Sequence, residues 1–229
     1  QMKGKLMQIL FLLFSAFFLV FSNTIYAQNE RPEVHVITVC DKNCKGLQQL
    51  IRSCTYYGID MKVLGMGQPF WVGGARGKKL TYINEYVQNV PDEDIVLFVD
   101  GLDVFFLAPL DKILDHFLSC NIPCVFGTEI TLWPHANLKD KFPISRTKFR
   151  YLNSGFIMGY AGYLKSMLHE MSPLQENQSD QGQFQLYYIK HQSEIMLDYF
   201  CEFVINLKDV NMKELKLHPK RKGVECLIT

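Results

Sequence analysis

The sequence predicts an open α/β fold in which a mainly parallel sheet carries helices on both faces. Short runs of β-branched and aromatic residues, typical of strands buried on both sides, alternate with segments whose apolar residues recur at helical spacing. Strands that alternate with helices join through right-handed crossovers into a covered, mainly parallel sheet. The 229 residues show no internal repeat or change of composition, so we expect one domain.

The predicted elements follow in a regular order. Strands are indicated over residues 34–39, 61–64, 95–99 and 124–127. The helices between them are indicated by apolar residues three or four positions apart, namely Leu47, Leu50, Ile51, Cys54, Leu80, Ile83, Tyr86, Val87, Leu110, Ile113, Leu114 and Phe117. Because open sheets of this kind bind ligands at the carboxyl ends of their strands, residues directly after strands are the first candidates for a site.

Residues 1–27 read as a secretory signal. Lys3 and Lys5 precede an apolar run, and Ala27 supplies a small residue for cleavage. The run is shorter than the roughly 20 residues of a spanning helix, so a membrane anchor is the weaker alternative. We therefore expect a domain over 28–229 in the secretory pathway, in the endoplasmic reticulum lumen or secreted, with no integral membrane segment after cleavage. That compartment favours disulfides among the seven cysteines and gives meaning to a glycosylation sequon at Asn177.

Charge and motif spacing exclude several function classes. The 24 basic and 23 acidic side chains nearly cancel, which argues against a nucleic-acid partner. The sequence contains no CxxC pair of cysteines, no HxxxH pair of histidines, no phosphate-binding P-loop and no nucleophile motif.

The clearest candidate site follows the third predicted strand. Asp100 and Asp103 frame a turn that Gly101 makes easy. Two acids three positions apart point to opposite faces of a continuous strand, but on a turn their carboxylates can converge on a hard divalent cation such as Mg²⁺ or Mn²⁺. The alternative is an ordinary Asp-Gly turn with a second acid at the surface.

Other polar residues stand where a ligand would lie. A glycine-rich loop over 65–77 leads into a helix with Lys79 near its start, and exposed backbone amides beside basic side chains suit phosphate. Glu129 follows a predicted strand, and Asp180 begins an aromatic helical stripe. Each feature also has a purely structural alternative. The loop would be a flexible connection, Glu129 would cap a strand end, and the aromatic stripe would pack in the core.

Taken together, these motifs resemble the N-terminal glycosyltransferase domain of the multifunctional procollagen lysyl hydroxylases, the collagen glycosyltransferase family. The resemblance runs in order from about residue 34 to about residue 207. The matching segments are residues 36–39, 71–74, 77–79, 98–104, 129 with 133–134, 150–155, 180–181 and 197–198.

The resemblance implies a GT-A-like fold, Mn²⁺ and a UDP-hexose donor, either UDP-galactose or UDP-glucose. The implied acceptor is hydroxylysine or galactosyl-hydroxylysine in a collagen-like polypeptide. The same likeness implies nine site residues in three groups. Asp100 and Asp103 would be metal ligands, and Thr38, Trp71 and Lys79 would contact the nucleotide diphosphate. The sugar and acceptor side would be lined by Asp180, Glu129, Trp133 and Asn153. Either Asp180 or Glu129 would act as a base or stabilise the cationic sugar.

The sequence departs from the family pattern at four places. Leu102 replaces a tyrosine that would stack on uracil, Asp180 stands alone where the family has a pair of acids, and Tyr199 replaces a histidine. The sequence also ends at residue 229, before the His-Gly-Asn-Gly segment that carries the family's last metal ligand, and His218 is its only late histidine. We therefore expect a domain truncated at its C-terminus, either a fragment or a shortened relative.

These observations lead to one interpretation and two alternatives. The interpretation is a Mn²⁺-dependent glycosyltransferase. The first alternative is a secreted, non-catalytic relative that binds a nucleotide sugar or a collagen-like chain, and the second is an unrelated α/β domain.

Overall fold

The computed structural model describes residues 31–69, 71–74 and 76–211. The chain divides into two compact units, Gln1–Glu33 and Val34–Thr229, and the fold described below is that of the second unit. The expected signal over 1–27, together with Cys226 and His218, lies outside the described residues.

Strands and helices alternate through the described part of the chain. They are β1 (Val34–Val39), α1 (Lys45–Tyr57), β2 (Met61–Leu64), α2 (Lys78–Val87), β3 (Ile95–Val99), α3 (Leu110–Cys120), β4 (Cys124–Glu129), a 3-10 helix (Ala136–Lys141), β5 (Tyr151–Tyr160), α4 (Ala161–Glu170), α5 (Asp180–Lys190) and β6 (Ile195–Leu197). The strands and helices predicted from residue 34 to residue 128 are therefore confirmed. None of the described helices is both long and apolar enough to cross a bilayer.

The six strands form one sheet in the order β2-β1-β3-β5-β4-β6. β1 pairs in parallel with β2 and β3, and β4 pairs in parallel with β6. β5 lies between β3 and β4 and runs antiparallel to both. The prediction of a mainly parallel sheet is confirmed, with β5 as the one reversed strand among the described residues.

Helices cover both faces of the sheet. Leu80 of α2, Leu164 of α4 and Phe184 of α5 belong to the buried cluster on one face. Leu50 of α1 and Leu114 of α3 belong to the cluster on the other. Every residue of β3 is buried, as its unbroken apolar run predicts for a central strand.

The reversed strand β5 determines which residues reach the ligand edge. Because β5 runs against its neighbours, its first residues lie where β3 and β4 end. The pairing with β4 also shifts, since Phe126 lies opposite Ile157 but Gly127 lies opposite Asn153. The start of β5 therefore lies at the carboxyl edge of the parallel strands, beside the turn that follows β3.

The expectation of disulfides is wrong for the described residues. The six described cysteines are all free: Cys40, Cys44, Cys54, Cys120, Cys124 and Cys201. Cys40, Cys54 and Cys124 are buried, and burial raises the pKa of the Cys54 thiol to about 11. These three side chains pack as small apolar groups.

Candidate active site

A cleft of about 1110 Å³ opens at the carboxyl edge of the sheet. It is lined by eight of the nine predicted site residues, namely Trp71, Lys79, Asp100, Asp103, Glu129, Trp133, Asn153 and Asp180. These residues come from two strands, two helices and the loops between them. The fold thus brings together side chains that are far apart in the sequence.

The Asp100–Asp103 turn is anchored to the two strands that flank β3, namely β5 and β1. The Asp100 backbone N–H donates to the Gly155 carbonyl of β5 at 2.9 Å. Gly101 packs so closely on β1 that an added Cβ would lie 2.8 Å from the Thr38 hydroxyl oxygen. Burial raises the pKa of Asp103, and the negative charge of Asp100 raises it further. The two carboxylates therefore lie close enough for their charges to interact where both line the cleft, and Asp103 is the more exposed of the two.

Thr38 lies behind this turn and not on the cleft surface. Its side chain is fully buried, and its hydroxyl donates to the Val99 carbonyl at 2.7 Å. Among the described residues it therefore supports the junction of β1 with the turn. Its contact with a nucleotide, which the family resemblance implies, stays a prediction.

Lys79 forms a buried bridge between two carboxylates from different parts of the chain. The residue is 2% exposed, and its ammonium lies 2.8 Å from Asp180 Oδ2 and 3.2 Å from Asp100 Oδ2. Burial, the largest influence, lowers the pKa of Lys79, but the charges of Asp100 and Asp180 outweigh it and the net pKa is raised. Lys79 therefore stays charged and ties α2 to both the β3 turn and α5.

Asp180 is fixed by its place at the start of α5. The preceding residue, Ser179, caps the helix by accepting a hydrogen bond from the Gly182 N–H at 3.2 Å. Asp180 also accepts a hydrogen bond from the Ser154 hydroxyl at 3.1 Å. Acidic side chains are stabilised in the first turn of a helix, so the carboxylate is oriented by a helix, a strand and Lys79 together.

Glu129 is held by two amide side chains. Gln181 donates to Glu129 Oε1, and Asn153 donates to Glu129 Oε2 at 3.4 Å. The same Gln181 amide donates to the Trp133 carbonyl at 2.6 Å. Burial raises the pKa of Glu129, although the hydrogen bond from Gln181 opposes the shift. Gln181 was not predicted as a site residue, and the available signal was its place beside Asp180 in a matching segment.

Two tryptophans are exposed on the cleft. Trp71 is 47% exposed and Trp133 is 55% exposed. The Arg76 guanidinium lies over the Trp71 ring at 4.4 Å from its centroid, and its Nη1 is 3.9 Å from Asp100 Oδ2. Exposed aromatic rings in a cleft supply stacking surfaces for sugars and bases. The sequence pointed to Arg76 only as one of the basic side chains of the glycine-rich loop.

The opposite wall of the cleft is formed by the segment after β6, which Asp198 holds in place. The Asp198 carboxylate accepts hydrogen bonds from the backbone N–H groups of Glu202, Phe203 and Val204, at 2.8, 2.9 and 2.9 Å. Burial raises the pKa of Asp198, and these three donors oppose the shift. Residues 200–208 line the cleft, so Asp198 shapes it from behind.

A mainly parallel α/β sheet, with paired acids after a central strand and exposed tryptophans beside buried carboxylates, defines a GT-A-like glycosyltransferase domain. The model of the PLOD GT domain family matches residues 30–227. The chain therefore belongs to the family of PLOD glycosyltransferase domains.

Several curated proteins are similar to this chain. Procollagen-lysine,2-oxoglutarate 5-dioxygenase 2 of Homo sapiens is 32% identical over 194 residues, which cover 77% of this chain and 26% of that protein. Procollagen-lysine,2-oxoglutarate 5-dioxygenase of Drosophila melanogaster is 32% identical over 211 residues, covering 87% and 28%. Multifunctional procollagen lysine hydroxylase and glycosyltransferase of Caenorhabditis elegans is 28% identical over 208 residues, covering 84% and 28%. The chain thus matches between 26% and 28% of the length of these relatives.

Proposed function

We propose that this domain transfers a hexose from UDP-galactose or UDP-glucose to hydroxylysine, or to galactosyl-hydroxylysine, in collagen-like chains, with Mn²⁺ as cofactor. The observation that carries the proposal is the convergence of eight predicted site residues on one cleft in a chain of this family. The acceptor class is supported by the name of the Caenorhabditis elegans relative, which joins procollagen lysine to a glycosyltransferase. The signal-like pattern over 1–27 supports residence in the secretory pathway.

Asp100 and Asp103 fit a hard divalent cation. They are neighbouring carboxylates on one turn, and their mutual repulsion contributes to the raised pKa of Asp103. Cations such as Mg²⁺ and Mn²⁺ prefer oxygen ligands and take few of them from protein, since water and substrate phosphates supply the rest. A cation bound there would offset the charge of the UDP leaving group.

Lys79 orients Asp100 so that one carboxylate oxygen can face a cation. Both ion pairs of Asp100 among the described residues involve Oδ2, so Oδ1 is the oxygen that can face a cation. Lys79 also neutralises charge between Asp100 and Asp180, which lets several carboxylates share one cleft. We therefore assign Lys79 to positioning the two carboxylates.

Glu129 is the better candidate for the base. If Asp180 took a proton, it would give up a buried ion pair with Lys79 at 2.8 Å, which is costly. Burial moves the pKa of Glu129 upward, toward the pH range where a carboxylate accepts protons efficiently. We assign to Glu129 the removal of the proton from the acceptor hydroxyl. We assign to Asp180 the stabilisation of the positive charge that develops on the sugar.

A transfer assay tests the proposal. Collagen-like peptides carrying lysine, hydroxylysine or galactosyl-hydroxylysine are incubated with each labelled UDP-hexose, with Mn²⁺ or with a chelator. We expect Mn²⁺-dependent labelling of a hydroxylated peptide and none of the lysine peptide. Glu129→Gln should lower turnover and keep UDP affinity, whereas Glu85→Gln, at an exposed position on α2, should behave as wild type.

Two other results have distinct meanings. A folded chain that binds a UDP-hexose but labels no peptide would contradict the transfer reaction and favour the non-catalytic alternative. A folded chain that binds no UDP-hexose with Mn²⁺ would contradict the whole proposal.

A further inference from the structure

We propose that the Arg76 guanidinium gives up its ion pair with Asp100 and binds the diphosphate of the donor. The inference rests on the proposed function, because it names the side chain of the same site that recognises the leaving group. The basic side chains of the glycine-rich loop were expected to suit phosphate, and the inference assigns that role to one of them.

Lys79 is already paired with two carboxylates of the site. Its side chain is 3% exposed, and its ammonium already meets Asp180 at 2.8 Å and Asp100 at 3.2 Å. Moving that ammonium to a phosphate would leave two partly buried carboxylates without their counter-ion, at high cost. The buried lysine therefore holds the wall of the site, and the donor needs a different basic group.

Arg76 has the reach and the chemistry for this role. Its side chain is 37% exposed and lines the cleft. Its ion pair with Asp100 is 3.9 Å long, beyond hydrogen-bond distance, so the contact is easily exchanged. A guanidinium presents five donors in a planar fork that matches phosphate oxygens in pairs.

The backbone around Arg76 is fixed while its side chain can turn. Gly77 packs tightly, since an added Cβ would lie 2.1 Å from the Gln175 carbonyl oxygen. Gly73 and Gly74 adopt left-handed backbone angles, with φ of 60° and 84°, which shape the loop before it. The Arg76 guanidinium also lies 4.4 Å from the centroid of the Trp71 ring. A backbone held by close packing reduces the entropy lost when the side chain binds a phosphate.

Binding of the cation and binding of the diphosphate are then linked through Arg76. Without nucleotide, its positive charge near Asp100 opposes a divalent cation at the same carboxylate. When nucleotide is present, the guanidinium moves to the diphosphate and no longer repels a divalent cation at Asp100. Removal of Arg76 should therefore strengthen binding of the metal alone and weaken binding of the diphosphate, two effects of opposite sign.

Calorimetric titrations test this linkage on the whole chain. Mn²⁺ is titrated without nucleotide, and UDP and uridine are each titrated with Mn²⁺ present. For Arg76→Gln we expect a loss of UDP affinity of about 10-fold or more, as for a charged hydrogen bond, with uridine affinity unchanged. Mn²⁺ affinity without nucleotide should rise. Arg76→Lys, which keeps charge without the fork, should lie between, and Arg52→Gln, exposed on α1, should match wild type.

The outcomes separate this inference from the function on which it rests. If wild type binds UDP and Arg76→Gln binds it equally well, the inference is overturned and the proposed function stands. Equal losses for UDP and uridine would also overturn it, because they would mean that Arg76 only supports the Trp71 surface. If Arg76→Gln fails to fold, Arg76→Lys decides in its place. If folded wild type binds no UDP, both the inference and the proposed function fail.

Discussion

Replacement of Lys79 by methionine is the most informative test of how the site is held together. Methionine keeps much of the side-chain volume in a 2% exposed position and removes the charge. Asp180 then loses its counter-ion, and Asp100 keeps only the longer, 3.9 Å ion pair with Arg76. We therefore expect this single substitution at a buried position to cause a large loss in the free energy of unfolding.

The magnitude follows from the two distances. At an effective dielectric constant of about 20, unit charges at 2.8 and 3.2 Å attract by about 6 and about 5 kcal/mol. Desolvation of the buried ammonium cancels several kcal/mol of that attraction. Removal of one partner from a buried ion pair leaves a net destabilisation of about 3–5 kcal/mol, which we expect for Lys79→Met.

Urea unfolding followed by far-ultraviolet circular dichroism measures the loss of stability at neutral pH. Lys78→Met, at the neighbouring position on α2, is the control and should cost less than about 1 kcal/mol. Adding Asp180→Asn to Lys79→Met should recover about 1 kcal/mol or more, because it removes one unpaired charge. A loss below about 1 kcal/mol for Lys79→Met at neutral pH would refute the buried bridge.

Three further predictions address other parts of the site. Turnover of wild type should fall on acidification with a midpoint above the ordinary glutamate pKa, because Glu129 must be ionised to act and burial raises its pKa; a pH–rate profile of Glu129→Gln should lack that limb. Gly46→Ala should displace the Asp100–Asp103 turn, since its Cβ would lie 1.7 Å from the Leu102 carbonyl oxygen, and Mn²⁺ titration should show weakened binding while exposed Gln49→Ala leaves it unchanged. Asp198→Ala should lower the free energy of unfolding by about 2–4 kcal/mol in urea titrations, because three backbone donors lose their acceptor, and a loss under 1 kcal/mol would contradict that role.

Much of the fold follows from local patterns in the sequence. The run that forms β3 is apolar at every position, and the run that forms β1 is apolar except at His35 and the buried Thr38, so both can be recognised as strands from the sequence alone. The position of β5 is not local information. Its reversal between β3 and β4 depends on pairing across the whole sheet, and that reversal delivers Asn153 to the site.

The site shows the same division between local and long-range information. Acids directly after a buried strand could be found from the sequence, because strand ends meet at one edge of an open sheet. The Lys79 bridge could not, since its partners lie on the β3 turn and on α5 and meet only in the folded chain. Thr38 was expected against the nucleotide from the family resemblance alone, and its hydroxyl donates to the Val99 carbonyl behind the turn.

Release of UDP from UDP-galactose and UDP-glucose, with and without Mn²⁺, tests the central claim most directly. The comparison is between wild type and Asp100→Asn, which keeps the size of the side chain and removes its charge. The account predicts Mn²⁺-dependent release by wild type that is lost in Asp100→Asn while the fold is retained. Release that persists in a folded Asp100→Asn protein, or that needs no divalent cation, would contradict the assignment of the Asp100–Asp103 turn to the reaction.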